Sequence, residues 1–504
     1  MSRSIHNNTM YLQPGRSYHL LSGLLIILFF MVIGDAHAIP AFARKYQANC
    51  ALCHTNEPRL SIFGQQFKEN GYQMPGSQDG ADTAKHVLEG EQGPVTIDDI
   101  SKIMAVRIRA DVQRASFNEE TTAMKADNVR EQWDVEVPKI INLFFGGTAT
   151  KNISYFMETE YNTQEGGEAS VKFERSFLIF SNLAGRQGVA NVKVGKFDPS
   201  GLFSFPTHRQ QLNPIGPKAD AKNFPPAINR IPLLPLAFAS KMFGLTKGPS
   251  YAGDGDFAIL PVEPFLYNAP VQTGISVYGR PLGFGSGFMY QLGTVVDDKV
   301  SIRASNRENR YDTYVMGRYD WTTAGGKNLQ ASAFYYQAPD AALSTLNMGG
   351  TIVYAKNPTD ITRWGVGARG QWGKWDVYGT YIVDSIDKPS FSGMAANSKW
   401  DETGKGASLE ADWRMTAHWM LGLRYDWMAP GGLKKLPTGG EQLNIDASFL
   451  APIVKYYPSP NIGLYARAHI NLENNAKNPI GGGVNDHPLT NLRSMVTLGV
   501  DMAF

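Results

Sequence analysis

Val496-Thr497-Leu498-Gly499-Val500-Asp501-Met502-Ala503-Phe504 is apolar at every second position: Val496, Leu498, Val500, Met502 and Phe504 share one parity, and Thr497, Gly499, Asp501 and Ala503 fill the other. Successive side chains of an extended chain point to opposite faces, so this pattern predicts a strand with one apolar and one mixed face. The pattern recurs upstream. Ile462, Leu464, Ala466, Ala468 and Ile470 alternate with Gly463, Tyr465, Arg467, His469 and Asn471. Met104, Val106, Ile108, Ala110 and Val112 alternate with Arg107, Arg109, Asp111 and Gln113. Val171, Phe173, Phe177 and Ile179 stand against Lys172, Glu174 and Ser176, with Arg175 as an exception.

A soluble sandwich also has an apolar inner face, and length separates the two cases. These segments run about ten to twelve residues, the span of a tilted strand crossing a bilayer, whereas soluble strands centre near five or six. Candidates lie near 103–114, 135–148, 151–162, 170–181, 186–197, 271–281, 285–297, 310–321, 327–338, 360–371, 374–385, 406–417, 419–429, 442–456, 461–473 and 493–504. Short connections (at Thr150, 182–185, 281–284, 322–326, Gly373, His418 and 457–460) alternate with long ones (115–134, 198–270, 298–309, 339–359, 386–405, 430–441 and 474–492). Outer-membrane barrels have this asymmetry, with short turns in the periplasm and long loops outside. The expected fold is therefore all-β: an outer-membrane antiparallel barrel of about sixteen strands over 100–504, with both barrel ends on the periplasmic side. Trp321, Trp364, Trp372, Trp375, Trp413, Trp419 and Trp427 fall within or at the ends of these strands, as interfacial girdles require. The connection 198–270, dense in Pro and Phe, is expected to form an ordered constriction or lid. Asp254 with Asp256, and Asp297 with Asp298, are candidate oxygen ligands for Fe(II).

Residues 1–38 read as a signal peptide: Arg3, Arg16 and His19 precede an apolar run from Leu20 to Ile33, which is followed by Ala36-His37-Ala38. Without Arg3, Arg16 and Asp35, the 48 Lys+Arg and 46 Asp+Glu of the chain become 46 and 45. A chain so close to neutral has no overall electrostatic footprint for nucleic acid.

The only two cysteines lie in Cys50-Ala51-Leu52-Cys53-His54. C-x-x-C-H is the attachment motif of c-type haem: the thiols join the porphyrin by thioethers and His54 is the proximal ligand to iron. A zinc ion would lack an obvious fourth ligand, and a Cys50–Cys53 disulfide is the plainer alternative. The haem segment is expected to span 39–76, with a polar linker at 77–99. In it Asn56 and Pro58 open a short helix, Asn70-Gly71 ends it, and Leu60, Phe63 and Phe67 form an apolar lid or pack on the barrel. For the distal position Met74 is the first candidate and His86 the alternative, an open position being the third possibility.

Ala38-Ile39-Pro40-Ala41-Phe42-Ala43-Arg44, then C-x-x-C-H, then Phe63-Gly64-x-x-Phe67-x-x-x-Gly71-Tyr72, resembles the N-terminal signature of bacterial outer-membrane cytochrome–porin fusions. The close match covers about 35 residues. Iron(II)-oxidising members tend to read Phe-Ala-Arg-Gln-Thr-Gly where this chain has Phe42-Ala43-Arg44-Lys45-Tyr46-Gln47. The resemblance implies one covalent haem c on a barrel of about sixteen strands in the outer membrane. It further implies an oxidoreductase-type electron conduit from an extracellular donor such as Fe(II) to a periplasmic c-type cytochrome or other carrier. A haem-plugged diffusion porin and outward electron transfer are the alternative expectations.

Overall fold

The computed structural model describes residues 41–56, 59–75, 100–117, 131–162, 170–197, 272–296, 311–341, 344–346, 352–354, 359–386, 399–401, 403–429, 432–435, 447–472 and 492–504. The signal peptide, the linker with His86, the connection 198–270 and the acidic pairs Asp254/Asp256 and Asp297/Asp298 lie outside the described residues.

Sixteen antiparallel strands close on themselves. They are β1 (Met104–Phe117), β2 (Glu131–Thr150), β3 (Ile153–Asn162), β4 (Ser170–Phe180), β5 (Asn191–Phe197), β6 (Gln272–Gly279), β7 (Gly287–Val296) and β8 (Asp312–Thr322). The circuit continues through β9 (Asn328–Ala341), β10 (Thr359–Trp372), β11 (Trp375–Ile386), β12 (Thr403–Arg414), β13 (Trp419–Ala429), β14 (Ala447–Ser459), β15 (Ile462–Asn471) and β16 (Leu492–Ala503). Each pairs with its sequence neighbours, and β16 closes on β1 with Leu498 opposite Val112 and Met502 opposite Ile108. Closure leaves no edge strand with unpaired amides, which is the condition for placing a sheet in lipid.

The alternation sorts the side chains as the sequence predicts. Val496, Leu498, Ile470, Leu423 and Val366 face outward, while Arg109, Asp111, Arg467, His469 and Thr497 are buried in the lumen. The tryptophans fall at two levels. Trp321, Trp372, Trp375, Trp413 and Trp419 mark the short-turn end, with Trp375 and Trp413 stacked at 5.7 Å. Trp364 and Trp427 each lie eight residues further along the strand that carries Trp372 or Trp419. Eight residues rise about 26 Å, or about 20 Å in height at the usual strand tilt, which approaches the apolar band of such barrels.

One departure comes from β4. Glu158 pairs with Arg175 but Thr159 pairs with Phe173, so Glu174 is an extra residue in the register. This bulge reverses the parity: Val171 and Phe173 face outward, at 66% and 58% exposed, whereas Arg175, Phe177 and Ile179 turn into the lumen. Arg175, an exception in the sequence pattern, marks the point where the apolar face changes side.

Inside the barrel, at the short-turn end, sit α1 (Ala41–Tyr46), α2 (Cys50–Cys53), a hairpin of His54–Asn56 with Arg59–Leu60, and α3 (Ile62–Glu69). Helix α3 starts later than the sequence predicts. Ser61 is its N-cap and accepts from the Gly64 amide, because His54–Asn56 and Arg59–Leu60 pair as strands where a helix opened by Asn56 and Pro58 was expected. The stop is as expected: Asn70 is the C-cap and Gly71 adopts φ +68°. Among the described residues no helix is long and apolar enough to cross a membrane.

Candidate haem-attachment site

The C-x-x-C-H motif forms a single helical turn followed by a strand. Asn49 caps it, its Oδ1 accepting from the Ala51 amide at 2.9 Å, and the Ser61 amide and Oγ donate to the Cys53 and Leu52 carbonyls at 2.8 Å each. Helix α3 lies so close to this turn that a Cβ on Gly64 would overlap the Cys53 carbonyl oxygen, so the position tolerates only glycine. Both thiols are free of a disulfide; Cys50 is buried and Cys53 half-buried. Burial, with Cys50 adding to it, pushes the Cys53 thiol up to about 11. His54 opens the hairpin strand directly after the turn, opposite Leu60.

Two thiols on one turn with an adjacent imidazole are the donor set of covalent haem c. Leu52 is 42% exposed, and Leu60 and Phe63 are half-buried, so apolar surface remains beside the motif for a porphyrin to cover. The lid is smaller than the sequence predicts, because Phe67 turns the other way. Its ring lies 5.4 Å from Phe42 and 5.5 Å from Tyr46. Tyr72 stacks between Phe42 (4.9 Å) and Phe156 (5.4 Å), and Phe156 stacks on Phe177 at 5.6 Å. This aromatic wall replaces the core that some 35 residues cannot supply alone. Met74 packs half-buried against the same cluster, its carbonyl accepting from Asn70 Nδ2 at 3.2 Å.

Sequence reasoning missed the polar anchors. Arg59, wholly buried, extends from the hairpin to Asp412 at 2.5 Å, Asp376 at 3.4 Å and Glu410, with its guanidinium 4.4 Å over the Tyr378 ring. Burial alone would lower its proton affinity, but Asp412 and Glu410 outweigh it and hold it charged. Thr55 donates to Asp376 at 2.6 Å, Arg369 donates to the Leu60 carbonyl at 2.8 Å, and Arg414 to that of Thr55 at 3.0 Å. The strand that presents His54 is thus tied to β10, β11 and β12. Further along the wall, Glu69 at the end of α3 meets Arg318 at 2.6 Å and Arg280 at 3.0 Å, and its carbonyl accepts from Tyr278. One positive and one negative key lock the segment to two separate stretches of the wall. The only available signal was a set of charges on the lumenal parity of the strands: Arg280, Arg318, Arg369, Asp376, Glu410 and Asp412.

Comparison with protein-family models and with curated proteins gives no match for this chain. Among solved structures, OmpT, an outer membrane protein of Vibrio cholerae, aligns over 80% of this chain and 96% of its own at 8% identity and a TM-score of 0.43. Salmonella typhi OmpF, in complex with daunomycin, covers 80% and 97% at 9% identity and 0.43. Pseudomonas putida OprB covers 80% and 94% at 10% identity and 0.44. The barrel assignment stands on the strand register of this chain itself.

Proposed function

We propose that this protein is an outer-membrane barrel plugged at its periplasmic mouth by a monohaem cytochrome c segment, and that it carries electrons from an extracellular donor to a periplasmic carrier. The observation that carries the reading is the C-x-x-C-H turn, its two cysteines not joined in a disulfide, held in the mouth by the buried Arg59 cluster. The membrane assignment rests on the closed wall, its apolar outer face and the two tryptophan levels. Cys50 and Cys53 would hold the haem, His54 would ligate its iron, and Met74 or His86 would close the sixth position. Bound there, haem c supplies a reversible one-electron iron couple.

The other residues do the rest. Arg59 and Glu69 fix the segment at two places on the wall, and Phe42, Phe67 and Tyr72 seal one side of it. Ala51 and Leu52 are exposed, so the motif keeps an open surface. The hydrocarbon layer is about 30 Å thick, so a soluble carrier has to come to the short-turn mouth to meet this segment. Fe(II) is the candidate donor, since its oxidised product precipitates near neutral pH and is better formed outside the cell.

The test is to purify the protein from outer-membrane fractions of a host that matures c-type cytochromes, measure its haem spectrum, and add Fe(II) at controlled pH. Reduction of a covalently held haem supports the reading. A colourless protein ends it, and rapid reoxidation by extracellular acceptors without reduction by Fe(II) reverses the direction of flow. A second reading, a diffusion porin with a haem-bearing plug, is favoured by the charged lumenal lining of Arg109, Lys455, Arg467 and Asp426. Solute uptake that persists while no electrons flow would select it.

A further inference from the structure

We propose that the short-turn face of the barrel, around the plug, is a docking surface for an acidic soluble redox protein; this rests on the electron-conduit reading and adds the partner's chemistry. The seven short connections (151–152, 181–190, 280–286, 323–327, 373–374, 415–418 and 460–461) carry Lys151, Arg186, Arg280, Lys327 and Lys374 and no Asp or Glu. Of the eight long connections, seven have at least one acidic residue, the exception being 342–358. The asymmetry therefore belongs to one end of the barrel.

Burial sharpens it. Lys151, Arg186, Lys327 and Lys374 are exposed, on four separate turns around the mouth. The carboxylates near this end, Glu69, Asp320, Asp376 and Asp412, are held by Arg59, Arg280, Arg318 and Arg369. Asp501 is paired with Arg107. Among the described residues of the short turns, the charge left facing outward is positive. Exposed apolar side chains stand beside these charges: Leu52 of the motif itself at 42%, and, on the turns, Leu183 at 60% and Leu282 at 73% exposed. Beside the plug, Gln66, Pro75, Arg186 and Phe284 line a cleft of about 640 Å³.

Exposed apolar side chains beside charges of one sign suit a transient electron-transfer interface. The apolar part sets close approach, and the charges steer an oppositely charged partner and speed encounter by about 10- to 1,000-fold at low salt. The occupant that fits is a small carrier with carboxylates around its own exposed cofactor edge. The acidic residues of 76–99 belong to the same chain, and the inner-leaflet phosphates of the membrane also seek positive charge; each is an outcome of the test below.

The experiment uses the full-length protein in lipid nanodiscs, with one acidic and one basic soluble c-type cytochrome as probes. Binding of the oxidised probes is measured by surface plasmon resonance, and electron exchange by stopped flow, from 20 to 500 mM salt. The expected result is association at least tenfold faster for the acidic probe, lost at high salt. In the fourfold variant Lys151→Glu, Arg186→Glu, Lys327→Glu, Lys374→Glu the preference should invert, and in the fourfold Gln variant it should vanish. Equal association of both probes with wild-type protein overturns the proposal. So does an acidic-probe preference that survives in both variants, as it would if these charges served only the 76–99 acids or lipid phosphates. Binding is read without electron transfer, so a haem-free protein that still shows the salt-dependent preference would sink the conduit reading and leave the docking surface standing.

Discussion

Replacing Arg59 by Ala should loosen the plug without opening the barrel wall. The guanidinium is fully buried and meets Asp376, Glu410 and Asp412, which are themselves buried. Removing one member of such a group leaves carboxylates without their counter-charge, which costs about 3–5 kcal/mol. The lower figure applies here, because Arg369 still holds Asp376 at 2.7 Å and Tyr378 still donates to Glu410 at 3.0 Å. A loss of about 3 kcal/mol lowers the ratio of seated to released plug roughly 150-fold. The assay is single-channel conductance in planar bilayers, paired with trypsin cleavage in the plug. Wild-type protein should be mostly closed and protected. Arg59→Ala should open frequently and be cut, Arg59→Lys should lie between, and Arg59→Met combined with Glu410→Gln and Asp412→Asn should recover most of the closure. Conductance and protection in Arg59→Ala identical to wild type would refute the view that this cluster seats the plug.

Three further outcomes follow from the site. Gly64→Ala should drive α3 off the Cys53 carbonyl at a cost of about 1–3 kcal/mol, seen as a lower yield of covalent haem with an unchanged barrel circular dichroism spectrum. Met74→Ala should abolish the near-infrared band of thioether-ligated ferric haem if Met74 is the distal ligand; an unchanged spectrum that is altered by His86→Ala would move the assignment to His86. In haem-free protein the Cys53 thiol, pushed up to about 11, is protonated at neutral pH. Its alkylation at pH 7.5 should therefore run roughly 300-fold slower than that of an ordinary exposed thiol and rise with pH up to about 11.

All sixteen barrel strands were legible because each carries its own local signal, a period of two with turn residues at the ends, and because sequence-adjacent strands pair in a meander. The tryptophan levels follow from the same arithmetic. The motif Cys50-Ala51-Leu52-Cys53-His54 was equally visible as a motif, and its reading as a haem attachment remains a proposal. What the strand pattern concealed was any feature that depends on a second segment. Arg175 looked like a flaw in β4 until the Glu158–Arg175 and Thr159–Phe173 pairs showed a bulge at Glu174 beside it. Phe67 looked like part of a porphyrin lid, yet a ring goes where neighbouring rings are, and Phe42, Tyr46 and Tyr72 are brought to it by the turn at Gly71.

The start of α3 shows the same division. Asn56 and Ser61 are both competent caps by residue type, and the choice between them was made by the pairing of His54 with Leu60 and of Asn56 with Arg59, which takes Asn56 into a strand. Composition and periodicity by themselves determined a closed antiparallel wall with an apolar outside and a C-x-x-C-H segment preceding it, because covalent spacing and strand parity are properties of one stretch of chain. Only the tertiary structure decided where that segment goes. A lone Arg59 or Glu69 is an ordinary charge in sequence, and it becomes an anchor when closure of the barrel brings Asp376, Glu410 and Asp412, or Arg280 and Arg318, to face it from strands more than 200 residues away. A buried charge is stable only opposite its counter-charge, and that opposition is a property of the folded lumen.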